Sequence, residues 1–171
     1  SNMKKSRHYL TTLGPVVAFI PWVIALFLPV INFDYGKEIY TGFSTFINGF
    51  VAALTIFNVY GLAWHANTMA FLTAAVMMYE RQTTRFSRIT ALLAPILGSI
   101  VYFLPLRDIS YNDTSSYSQG VWLPAMYLWQ LSLVLIFLLT VWVFAREKRA
   151  VATGLGQKTN ALQLARQYFR K

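Results

Sequence analysis

Residues 39–79 read IYTGFSTFINGFVAALTIFNVYGLAWHANTMAFLTAAVMMY, forty-one positions without a formal charge. A helix needs roughly 20 mostly apolar residues to cross a bilayer. The run is therefore either one span with a long apolar extension or two spans joined near Trp64-His65-Ala66-Asn67. The fold turns on that choice, because one extra crossing inverts everything downstream.

Three other uncharged stretches run from His8 to Phe33, Ile89 to Leu106 and Thr114 to Ala145. The 171-residue chain is 56% hydrophobic and only 12% charged, too little polar surface for a water-soluble globule of that size. Its expected solvent is a membrane. Ser1-Asn2 ahead of Met3 reads as a scar of tag cleavage, and Gly14 to Ile31 is too long for a signal-peptide core, so that segment is expected to be a retained span.

Basic residues decide the count, since Lys and Arg near span ends stay on the cytoplasmic side. With one span in 39–79, the inside holds Lys4, Lys5 and Arg7, then Arg81, Arg85 and Arg88, then seven basic residues from Arg146 to Lys171. Only Lys37 and Arg107 face out. Two spans would strand the three loop arginines and the basic tail outside. The reading is thus an all-α membrane protein, an antiparallel bundle of four transmembrane helices near 14–31, 58–79, 89–106 and 122–145. Both termini are cytoplasmic, and the expected location is a bacterial inner membrane. Tyr79 and Phe86 suit one membrane interface, and Tyr102, Phe103, Trp122 and Tyr127 the other.

The two halves echo one another. Phe27-Leu28-Pro29 and Phe103-Leu104-Pro105 lie 76 residues apart, and a tyrosine follows each proline by six, Tyr35 and Tyr111. Gly42-Phe43 and Gly120-Val121-Trp122 then open the next apolar run. This suggests a tandem duplication of span, loop and span, 3–79 and 80–145, followed by a basic tail, 146–171. The external loops alternate apolar and polar residues around Gly36-Lys37 and around Asn112 to Ser116. They read either as two hairpins pairing into a small four-stranded cap or as two irregular loops. The first half carries an extra apolar stretch, Phe46 to Phe57, expected to extend a helix outward, lie in the interface or re-enter the membrane.

Chemistry-bearing residues are few. Cysteine is absent, only His8 and His65 supply imidazoles, and all six acidic residues fall in loops or at span ends. That leaves no thiolate site, no metal constellation and no intramembrane acid of the kind proton-coupled transporters use. Neither a cofactor nor nucleic acid is expected, because no basic patch is interleaved with base-stacking aromatics. Asn48, Thr55, Asn58 and His65 recur at spacings of seven, three and seven, which on one helix forms a polar stripe. Such a stripe either binds a ligand or partner helix or only fixes the bundle by hydrogen bonds. In the tail, Lys158, Arg166, Tyr168, Phe169 and Arg170 have the makeup of a basic amphipathic helix on anionic lipids at the cytoplasmic face.

In layout alone the chain resembles two kinds of tetraspan protein, the claudin-like group and the inner-membrane immunity proteins that neutralise pore-forming toxins. The claudin-like tryptophan and paired-cysteine signature is absent. The function expected is a non-catalytic membrane interaction protein, an accessory or immunity-type subunit that recognises a membrane protein, a second copy of itself or a lipid. The alternatives are a small oligomeric channel or transporter subunit with the polar stripe along its path, and a membrane enzyme or lipid-handling protein.

Overall fold

The computed structural model describes the backbone of residues 2–33, 38–54, 59–103 and 121–168, with side chains over 9–32, 39–54, 61–103 and 122–153. Helix α1 (Asn2–Ala18) leads through Phe19 into α2 (Ile20–Phe27). The break has a local cause. Pro21 has no backbone N–H for the carbonyl four residues back, so the ladder is interrupted there. α2 ends because Leu28 precedes Pro29, whose ring disfavours a helical neighbour, and Leu28 is extended at φ −100° and ψ 157°. The first helical segment thus stops at Phe27, short of the expected Ile31, and Pro29–Phe33 forms strand β1.

β1 pairs antiparallel with β2 (Glu38–Thr41) in the register Ile31 to Tyr40 and Asn32 to Ile39, and on its other edge with β3 (Val121–Trp122). The first hairpin forms as its alternation predicts. Among the described residues the sheet has three strands, in the order β2-β1-β3. The expected turn at Gly36-Lys37 and most of the second hairpin lie outside those residues.

Thr41 ends β2 and caps helix α3 (Gly42–Ala53), its hydroxyl accepting from the Ser44 N–H at 3.3 Å. The described part of the extra apolar stretch, up to the C-cap Leu54, thus belongs to a separate 12-residue helix too short to cross a bilayer, and residues 55–57 lie outside the described residues. Helix α4 (Val59–Glu80) follows and ends at Arg81, which takes the left-handed conformation at φ 52°. Helix α5 (Arg85–Ser99) opens on a capping box in which Thr84 and Ser87 exchange side-chain and backbone hydrogen bonds. That cap sets its start four residues before the expected Ile89. A 3-10 turn, Ile100–Phe103, completes it. Helix α6 (Pro124–Tyr168) is 45 residues long and continues unbroken past Gly154 and Gly156, so the tail prolongs this helix. At 1.5 Å per residue it reaches about 68 Å, over twice the roughly 30 Å of a hydrocarbon core.

Three helical stretches among the described residues are long and apolar enough to cross a membrane: Tyr9–Phe27, Arg85–Phe103 and Pro124–Thr153. They mark the chain as an integral membrane protein. Burial agrees, because the pattern is inverted relative to a water-soluble core. Most of the buried positions are small or polar, among them Ala63, Ala66, Ala70, Ala91, Ala94, Thr73, Thr90 and Ser132. The exposed ones are large and apolar, including Val17, Ile24, Phe27, Leu92, Ile96 and Leu138. Small residues let helix backbones approach, and lipid covers the rest.

α4 sits against α1, α3, α5 and α6. It is not among the three apolar stretches, and its Asn67 and Thr73 are buried within the protein. Thr73 and Thr90 bridge α4 to α5, hydroxyl to hydroxyl at 2.7 Å; one donates across, and each has a carbonyl of its own helix within reach as the other acceptor. Because those local acceptors remain, Thr90→Val is expected to cost only about 0.6 kcal/mol, the typical worth of an interhelical bond in a membrane, measured by unfolding in mixed detergent micelles. At the far end of α5 from the 3-10 turn, the Arg88 guanidinium lies 4.2 Å from the Phe144 ring and that of Arg146 lies 4.5 Å from Trp142. Glu147 accepts from the Thr83 backbone and hydroxyl, tying the α4–α5 connection to α6.

Candidate functional site

The end of the bundle that carries the sheet encloses a partly open cavity of about 440 Å³. Its walls come from α2 (Trp22, Ala25, Leu26), the strands (Val30, Ile31, Tyr40, Trp122), α3 (Gly42 to Ala52) and the first turns of α4 (Ala63, Trp64, Asn67). Val101, Ala125, Met126 and Trp129 close it from α5's 3-10 turn and α6. Four of the chain's five tryptophans line this one space, and no charged residue is among its described walls.

The cavity persists because its rims are held apart by fixed rings and kept tight at a few small residues. The Trp22 ring meets Phe46 edge-on at 5.4 Å, and Phe46 and Phe50 flank Trp64 at 5.4 and 5.2 Å. The Trp64 indole donates to the Phe46 carbonyl at 3.0 Å, which locks α3 onto α4. Gly42 lies where α3 meets α2: a Cβ there would stand 1.9 Å from the Ala25 carbonyl oxygen.

Asn67 is the organising polar group. Its side chain is 3% exposed, and its carbonyl oxygen accepts from the indoles of both Trp22, at 3.0 Å, and Trp129, at 2.8 Å. One carboxamide thereby joins α2, α4 and α6. Two indole donors leave no freedom in its orientation, because indole N–H groups only donate and so only the oxygen can face them. The amide NH₂ must point elsewhere, and among the described residues it donates to none. Thr45, another wall residue, has a buried hydroxyl without a hydrogen-bond partner among the described residues.

Of the residues singled out from the sequence, Asn48 is an exposed part of the cavity wall. His65 is half-buried on α4, its ring 6.2 Å from Trp64, and is not among the wall residues. The two stand on different helices, because α3 ends at Ala53 and α4 begins at Val59, so no single helix carries the expected stripe. Thr55 and Asn58 lie outside the described residues. Lys158, Arg166 and Tyr168 are on the backbone of α6 with undescribed side chains, and Phe169 and Arg170 fall beyond it. Sequence reasoning missed Trp22, Trp129, Asn67 and Thr45. Their signal was faint: an asparagine inside an apolar run, and tryptophans that read equally well as interface anchors. Among the described residues no three His, Asp or Glu side chains gather as a metal site. The chain matches no family model, and neither curated proteins nor solved structures contain a match to it.

Proposed function

We propose that this is a non-catalytic membrane interaction protein that crosses the bilayer four times, with both ends in the cytoplasm, and recognises another membrane component at the tryptophan-lined cavity. The cavity carries the reading: it is walled by large rigid rings, holds the buried Thr45 hydroxyl with a bond to give, and has no charged residue among its described walls. That composition suits binding and offers little for bond-making chemistry.

The fourth span in this proposal is α4. Its 22 residues reach about 33 Å, enough for a hydrocarbon core. A helix that packs on several neighbours need not be apolar all round, since polar side chains on its packed face find partners in protein. The charge asymmetry read from the sequence supports the same topology, and a bacterial inner membrane with the tail on its anionic cytoplasmic face is the setting proposed.

The absence of cysteine makes topology directly testable with single substitutions. A membrane-impermeant maleimide added to intact cells is expected to label Lys37→Cys and to leave Arg85→Cys and Thr153→Cys untouched until the membrane is opened. External labelling at position 85 would overturn the four-span reading. In liposomes the purified chain is expected to carry no flux above empty vesicles. Flux that vanishes with Asn58→Leu or His65→Leu would assign it to the channel class instead.

A further inference from the structure

We infer that the cavity binds a neutral acyl ester, a hydrocarbon chain ending in a carbonyl oxygen that accepts from the Asn67 amide. The inference rests on the interaction-protein reading and names the chemistry of what is recognised.

Three observations converge. First, Asn67 is 3% exposed with its oxygen fully committed to two indoles, which leaves two N–H donors at the cavity without a described partner. Amide donors beside an apolar-walled cavity are best met by an oxygen that accepts without itself donating. Second, the walls are aromatic and aliphatic and hold no charged residue among those described, so a carboxylate, phosphate or ammonium inside would lose its hydration without compensation. Third, the volume is right for a chain. At roughly 30 Å³ per water-sized group, about 440 Å³ takes about 15 such groups. An ester carbonyl presents an acceptor without a donor and sits at the head of such a chain. The Thr45 hydroxyl on the same walls, buried and without a partner among the described residues, is a second available donor.

The same ester chemistry comes from a bilayer glycerophospholipid or from a single-chain fatty ester, and the test separates them. The full-length protein carrying Trp142→Phe, which removes the tryptophan outside the cavity, is titrated in detergent micelles with three probes. These are a mid-chain brominated fatty acid methyl ester, a brominated alkane of equal length, and a phosphatidylcholine brominated on one acyl chain. Bromine quenches nearby indoles. The ester is expected to quench saturably and to bind roughly tenfold more tightly than the alkane, the value of one added hydrogen bond. Phospholipid quenching assigns the site to the bilayer lipid; quenching by the methyl ester alone assigns it to a free ester. Thr45→Leu, which fills part of the cavity, is expected to abolish saturation with both.

Asn67→Asp gives a second, independent readout. One carboxyl oxygen still accepts from both indoles, but the other donates only while protonated. Ester binding should then weaken as pH rises in the variant and stay flat in the parent. Equal affinity for ester and alkane, or quenching that never saturates, would overturn the inference. These titrations do not read topology or flux, so an externally labelled Arg85→Cys would sink the parent reading while leaving them intact.

Discussion

Asn67→Leu is expected to destabilise the protein by about 2–3 kcal/mol, although leucine is the residue a membrane span ordinarily welcomes. The substitution removes the acceptor that both the Trp22 and Trp129 indoles use, and a stranded buried donor costs about 1–3 kcal/mol, the lower end applying to these part-buried ones. The lower part of the combined range applies because polar groups in a membrane-unfolded chain also find partners. Because Asn67 joins α2, α4 and α6, the loss is shared by three helices and should lower the whole cooperative transition. The measurement is unfolding in mixed detergent micelles followed by circular dichroism. The control is a cycle in which Trp22→Phe and Trp129→Phe are introduced first. In that background no donor remains to be stranded, and Asn67→Leu should cost little. An equal cost in both backgrounds would show that the two indoles have nothing to do with it.

Gly42→Ala is expected to be worse still, reducing the yield of folded protein and costing at least about 3 kcal/mol, the upper end for an overpacked site. The added methyl would stand 1.9 Å from the Ala25 oxygen, 2.6 Å from the Ala25 carbonyl carbon and 2.7 Å from the Leu26 Cα. All three are backbone atoms, and the Gly42 N–H is itself bonded to the Leu28 carbonyl at 2.9 Å. No rotamer can relieve that clash; α3 must move off α2, and the cavity between them opens. Gly49→Ala is the informative comparison. Its nearest neighbour is the Trp64 side chain at 2.6 Å, so relief needs that ring to shift and strain its bond to the Phe46 carbonyl rather than a helix to move. It should therefore cost clearly less, while shifting the fluorescence of Trp64. Equal losses at the two glycines would show that the α2–α3 approach is not what holds this region.

The sequence by itself determined the membrane character and the apolar helical segments, because these depend on short-range pattern, and it offered the first hairpin as one of two readings. Length and apolarity mark a lipid-facing helix, and alternation from Ile31 to Thr41 marks a pleated pair. Its boundary errors came from local signals weighed too lightly. Pro29 stops α2 through Leu28, and Thr84 starts α5 through its capping box. The polar stripe depends on more than spacing: Asn48 stands on α3 and His65 on α4, while Thr55 and Asn58 lie outside the described residues. Spacings of three and seven have meaning only on a continuous helix, and the chain leaves α3 at Ala53 before α4 begins at Val59.

Only the tertiary structure decided where the polar chemistry gathers. Trp22, Asn67 and Trp129 are separated by 45 and 62 residues, and no periodicity relates them. Whether an asparagine in an apolar run faces lipid, a pore or two indoles depends on which helices flank it. That is set by close approaches at alanine and glycine, whose small size looks the same in the sequence whether or not a neighbouring helix is there.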